Sequence, residues 1–246
     1  MSTLTEAEFL RDVAQHQMTI VHEAGELRHI RFAKPGTSCR SFNLTTVPGY
    51  LMFTGDMGAW TFTRLRDMFE FFRTDRRGED RLYINLGYWS EKLTACDCSG
   101  RHPSDGATEF DRKKFAAIVS RQGKDLLREA KADGHDKEVR ADMLEELREL
   151  LSDIDTDDER HAYELANDWK YREDGYVYRF SDLWDHDFRS YSRSFVWACY
   201  AIAWGIKQYD AAKASADAQQ AAARIQGCFS VSGHDNRPRP RQRAQP

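Results

Sequence analysis

The chain reads as an α+β protein: an antiparallel meander of four to five strands in the N-terminal third, packed by helices from the C-terminal two-thirds. Three observations carry this. Residues 27–65 break into short runs rich in Phe, Ile, Val and Thr, each closed by Pro-Gly or Gly, and β-prone runs punctuated by turn residues are strands. Residues 108–152 place apolar side chains three and four apart, the stripe of a helix with one buried side. The run FVWACYAIAWGIKQY, 195–209, is apolar nearly all round, so its helix belongs at the centre of the domain.

Taken in order, residues 4–18 form a helix. Leu4, Phe9, Leu10, Val13 and Gln17 share a face, and Thr3 or Thr5 with a Glu three residues on makes a capping box. The strands follow at 27–36, 40–49, 50–55 and 59–65, joined at Pro35-Gly36, Pro48-Gly49 and Gly55–Gly58. A helix over 64–80 turns Leu65, Met68, Phe69 and Phe72 inward and crowds Arg73, Arg76 and Arg77 at its C-terminal end, where cations suit the helix dipole; Gly78 stops it. Residues 81–89 read as a strand or extended segment. Helices follow at 108–130, 137–152 and 157–172, then a short strand at 176–180. A long helix covers 182–211, with a peripheral Ala-rich helix over 210–225. The expected organisation is one α+β domain over 1–231, sheet-rich over 27–90 and mainly helical over 91–231. A basic tail at 232–246 has no core-forming residue and is expected to be disordered.

Composition narrows the function classes. The 246 residues are 41% hydrophobic and 12% aromatic, enough for a real core, and 31% charged with a net charge of −4. That balance argues against a general nucleic-acid binder, which is usually basic. No signal-peptide h-region opens the chain and no run approaches the roughly 20 apolar residues of a membrane span. The five cysteines are odd in number and make no disulfide framework, so a reducing cytoplasm is the expected compartment.

Five features bear on chemistry. Gly55-Asp56-Met57-Gly58 lacks the Lys and Ser/Thr of a phosphate loop and runs into a strand-like segment, so it reads as a hairpin turn. Cys96, Cys98 and His102 could ligate zinc, but C-x-C is not the usual spacing and a fourth ligand would have to come from afar; a loop with two ordinary thiols is the alternative. On a helix, Asp182, Asp185 and His186 would share a face and could hold a metal or move a proton; equally, Ser181 could cap that helix with acids in its first turn. No nucleophile motif is present, and Cys199 falls in the apolar run as a core residue.

The fifth feature is charge. Residues 131–160 hold twelve acids against five bases, and residues 232–246 hold four arginines against one acid. An acidic helical face carrying Asp142, Glu145, Glu146, Glu149 and Asp153 could imitate a phosphate backbone and occupy a basic groove; a solvated helix face is the plainer reading. The tail arginines Arg237, Arg239, Arg241 and Arg243, with Arg73, Arg76 and Arg77, would serve a nucleic-acid binder, or the tail could simply aid solubility.

RFAKPGTSCRSFNL, PGYLMFTGDMGAWTFTRLRDMFEFFR, INLGYWSEKL and FVWACYAIAWGIKQYD together resemble a family of small phage- and prophage-encoded accessory proteins. The resemblance covers most of 27–95 and 176–210 and transfers no catalytic residue. It implies a mobile-element origin, and by context an inhibitor of host defence of the anti-CRISPR kind. The expected function is non-enzymatic binding of a host protein complex, with no cofactor and no membrane partner; the oligomeric state stays open. The alternatives are a metal-dependent or nucleotide-modifying enzyme and a nucleic-acid-binding phage protein.

Overall fold

Thr5 starts the first helix. Its hydroxyl accepts the Glu8 N–H at 3.3 Å while the Glu8 carboxylate accepts the Thr5 N–H at 2.8 Å, the reciprocal capping box expected there. This helix, α1, spans Glu6–Val13 and stops well short of residue 18. The computed structural model describes residues 4–73, 81–96 and 106–230. Directly after α1 comes a strand absent from the sequence reading, β1 (Gln17–Ala24). Its Thr19-Ile20-Val21 run is stiff at χ1 and favours extended backbone. Gly25, at φ +63, takes the first central position of the two-residue turn into β2 (Leu27–Ala33).

The meander continues through β3 (Phe42–Val47), β4 (Tyr50–Gly55), β5 (Gly58–Thr63) and β6 (Leu93–Cys96). The sheet has six strands in the order β1-β2-β3-β4-β5-β6, every neighbouring pair antiparallel. It thus exceeds the expected four to five by one strand at one edge, β1, and by β6 at the other. Alternation sends Ile30, Phe32, Phe42, Leu44, Leu51, Phe53, Trp60 and Phe62 to one face, where all are buried.

Against that face lie α1, α2 (Met68–Arg73) and the N-terminal half of α7 (Arg193–Ser230), as the apolar run predicts. Phe42 stacks between Phe32 at 4.7 Å and Phe53 at 5.5 Å and meets Trp197 edge-on at 5.6 Å. Gly205 lets α7 approach closely: a Cβ there would lie 2.8 Å from Leu44 Cδ1. Charge enters this core in a bidentate ion pair. The Arg28 guanidinium bonds both Asp67 carboxylate oxygens at 2.9 Å and packs over the Phe69 ring at 4.7 Å.

Two further segments differ from the sequence reading. Residues 81–89 are not a strand: Asn85 caps a short helix, α3 (Leu86–Ser90), by accepting the Tyr88 N–H at 3.2 Å. Residues 182–192 are not helical: a 3-10 turn at Leu183–Asp185 leads to strand β10 (Arg189–Tyr191), which pairs with β7 (Thr108–Phe110). Helix α7 begins only at Arg193, with the Ser192 hydroxyl accepting the Phe195 N–H at 3.2 Å. It then runs unbroken to Ser230, fusing the central and Ala-rich helices.

A second core is built from α4 (Arg112–Ala132), α5 (Lys137–Asp153), α6 (Glu159–Asp168) and the hairpin of β8 (Lys170–Glu173) and β9 (Tyr176–Arg179). Each of its helices starts on an aspartate whose carboxylate accepts first-turn N–H groups: Asp111, Asp136 and Asp158. Phe115 sits at the centre, edge-on to Phe188 at 4.9 Å and beside Tyr163 at 5.0 Å. The β7–β10 ladder, with the Ser192 N–H donating to the Ala107 carbonyl at 2.9 Å, ties this lobe to the base of α7.

Candidate protein-docking surface

The twelve acids of 131–160 divide once the fold is known. Asp136 and Asp158 are helix caps, and Asp133 accepts the Tyr178 hydroxyl at 2.8 Å. Asp155 and Asp157 both face Arg112, and Glu159 pairs with Arg189 at 2.9 Å. The other six, Glu138, Asp142, Glu145, Glu146, Glu149 and Asp153, all lie on α5 and are exposed. At 100° per residue they fall in a stripe about 100° wide and, at 1.5 Å per residue, about 22 Å long. Met143, Leu147 and Leu150 anchor the helix through a different side.

Little positive charge offsets the stripe. Glu145 pairs with Arg148 at 3.0 Å in an exposed contact, and Asp142 accepts the Tyr171 hydroxyl at 3.2 Å. Among the described residues Glu138, Glu146, Glu149 and Asp153 have no ion-pair partner. The strain shows in Glu146, whose carboxyl is pushed up by desolvation and by Asp142 and Glu149 beside it. Burial, and then the Asp142 carboxylate, likewise push the Tyr171 phenol up to about 12. All five acids singled out in the sequence sit on this stripe. Glu138, one helical step before Asp142, belongs with them, and the same four-residue spacing would have found it.

A cavity of about 530 Å³ lies between the two cores, where Asp111, Lys113, Lys114, Ser190, Tyr191 and Arg193 meet. Its carboxylate is held by donors of the chain. The Asp111 carboxylate accepts the Lys113 and Lys114 N–H groups at 3.1 Å and the Ser190 hydroxyl at 2.7 Å. Desolvation raises its pKa, but those bonds outweigh it and hold the carboxyl below its ordinary range. Lys114 Nζ donates to the Arg189 carbonyl at 2.7 Å. This is a joint between the lobes.

The remaining candidates disperse. Gly55-Asp56-Met57-Gly58 is the two-residue hairpin between β4 and β5, with Gly58 at φ +96. Asp56 accepts the Arg40 N–H at 2.9 Å and gives its own N–H to the Ser41 carbonyl at 3.1 Å, pinning the turn to the β2–β3 loop. That approach requires Gly55: a Cβ there would fall 2.3 Å from the Ser41 oxygen.

Asp182, Asp185 and His186 share no helix face, because Asp182 is left-handed at φ +54, Asp185 ends the 3-10 turn and His186 is extended. Ser181 therefore caps no helix. Cys96 ends β6; Cys98 and His102 lie outside the described residues. Among the described residues no three His, Cys, Asp or Glu side chains gather to hold a metal ion. Cys199 is buried, and burial raises its thiol well above the usual range. Arg73 is committed to Asp210 at 2.7 Å, while Arg76, Arg77, Arg237, Arg239, Arg241 and Arg243 lie outside the described residues. Among the described residues no helix is long and apolar enough to cross a membrane. No protein-family model, curated protein or solved structure matches the chain.

Proposed function

We propose that the protein is a non-enzymatic binding protein of a phage or other mobile element, and that it inhibits a host defence complex in the anti-CRISPR manner by seating the acidic face of α5 on a basic surface. The observation that carries the docking part is the uncompensated stripe. Six carboxylates over about 22 Å along one helix face present a row of negative charge to a surface shaped for a phosphate backbone. Such charge steers encounter and selects a basic partner. The mobile-element part rests on the sequence resemblance alone.

The test is affinity capture from a bacterial host lysate with the wild-type chain and with Glu145→Lys, Glu146→Lys and Glu149→Lys combined. All three side chains are exposed, so the variant should keep its melting temperature within a few degrees. It should lose a partner that the wild type holds at low salt and releases as salt rises. Equal capture by both proteins overturns the proposal.

A further inference from the structure

Among the described residues nothing covers the other face of the sheet. Along β1–β5 the side chains opposite the core are half-buried or exposed, none fully buried. Two rows cross it, Thr19–Arg31–Asn43–Thr54 and His22–His29–Thr45–Met52–Thr61. A sheet face left to water is ordinary; the chemistry of this one is not. In a chain with 40 acidic residues, none of the outward positions of these five strands is acidic. The one acid in the strands, Glu23, pairs across from Arg28 on the core side and holds Lys213 of α7.

At one corner of this face a groove of about 300 Å³ is lined by Gln17, Thr19, Arg31, Lys34 and Thr37. Every polar side chain there can donate a hydrogen bond and no carboxylate lies among them. Arg31 and Lys34 are both exposed, and among the described residues neither has an ion-pair partner. The cavity between the lobes differs, for Asp111 stands among its cations. At the diagonally opposite corner stands Tyr50, 45% exposed. Two strands across and four residues along put it roughly 16 Å from Arg31.

We propose that this open sheet face binds single-stranded nucleic acid, with phosphates on Arg31 and Lys34 and bases lying across the threonine rows toward Tyr50. A guanidinium matches phosphate oxygens in a bidentate fork. Exposed aromatic rings on a β platform stack bases, and threonine and asparagine side chains supply polar contacts between. The face is too polar for an apolar protein partner, and beside the flat strands it presents only the start of the β2–β3 loop, with Lys34 and Thr37. It lies on the side of the sheet away from α7.

Fluorescence anisotropy of a labelled 20-nucleotide oligo-dT and oligo-rU, titrated with the full chain in 50 mM NaCl, tests this. Binding is expected for at least one of them. Two neutralised phosphates would weaken it about sevenfold on going to 200 mM. Arg31→Glu with Lys34→Glu should abolish binding, and Tyr50→Ala should weaken it about fivefold or more, with thermal melts of all variants matching the wild type. Absence of binding to both oligonucleotides overturns the proposal. So does binding that survives the double charge reversal, which would place it on the arginine tail, and so does tighter binding to a 20-base-pair duplex.

Discussion

The two cores use charge in opposite ways. In the sheet core, stacked rings do the packing and the charge admitted is answered, Arg28 clasped by Asp67 and Asp12 held by Trp197 and Arg40. In the helical lobe the acids come first: three aspartates start the three helices, others bind Arg112 and Arg189, and six are left in a row on α5. The sheet core spends its side chains on holding itself together, whereas the lobe carries an unbalanced surface that its fold does not require. Truncation should therefore be costly in the sheet, and charge removal at the unpaired positions of the α5 stripe should cost nothing.

The largest effect belongs to Phe42, fully buried and in contact with Phe32, Phe53 and Trp197. Phe42→Ala should destabilise by about 3–5 kcal/mol, read as a lower urea midpoint. Next is Asp67→Ala, which strands a guanidinium in a near-buried site and should cost about 3 kcal/mol. Desolvation raises the Asp67 carboxyl, but the Arg28 bonds outweigh it and leave the pKa below the ordinary 3.8. A depressed folded pKa gives stability that is present above pH 3.8 and lost as pH falls through the folded value. The gap between wild type and Asp67→Ala should hold from neutral pH down to about that point and narrow only below it, in urea melts over a pH series.

The same substitution in each core sharpens the contrast. Gly205→Ala in α7 would set a Cβ 2.8 Å from Leu44 Cδ1 and 3.1 Å from the Phe32 ring, both fully buried. Overpacking of about 1–3 kcal/mol should outweigh the roughly 1 kcal/mol gained in helix propensity. Gly123→Ala in α4 meets only the tip of Leu147, 3.2 Å away, so there the propensity gain should win or balance. The melting temperature should fall for Gly205→Ala and hold or rise for Gly123→Ala, and equal shifts would remove the distinction between a tight core and a yielding one.

What the sequence conveyed follows the same division. Strands over 27–65 were legible because their alternation meets a single buried face and glycines mark the turns. Strand β1 was hidden because nearly all its side chains are exposed, which leaves no apolar period to see. Residues 182–192 continue the aromatic pattern of the helix after them, yet Ser190 reaches Asp111, 79 positions away; no local pattern encodes that pairing. The acidic stripe was legible from its spacing. The division of the acidic block into caps, ion pairs and unpaired carboxylates was not, since it depends on where Arg112, Arg189 and Tyr178 fall in space.

The smallest effect is the most direct test of the stripe. Glu146 stands four residues after Asp142 and three before Glu149, with no ion-pair partner among the described residues. Like charges at these helical spacings cost about 0.2–0.5 kcal/mol per pair. Glu146→Gln should therefore stabilise the protein by a few tenths of a kcal/mol, the reverse of what loss of a useful carboxylate in a core would do. The raised carboxyl of Glu146 sets the pH dependence. A group whose folded pKa lies above its unfolded value favours the fold at low pH and loses that contribution as pH rises through the folded value. The advantage of Glu146→Gln should thus be full at neutral pH, shrink as pH falls through that raised value, and disappear once the wild-type carboxyl is protonated. Paired thermal melts at pH 7 and pH 4 measure it. A destabilised variant at pH 7 would mean that Glu146 has a favourable role within the chain and that the stripe is not simply uncompensated charge.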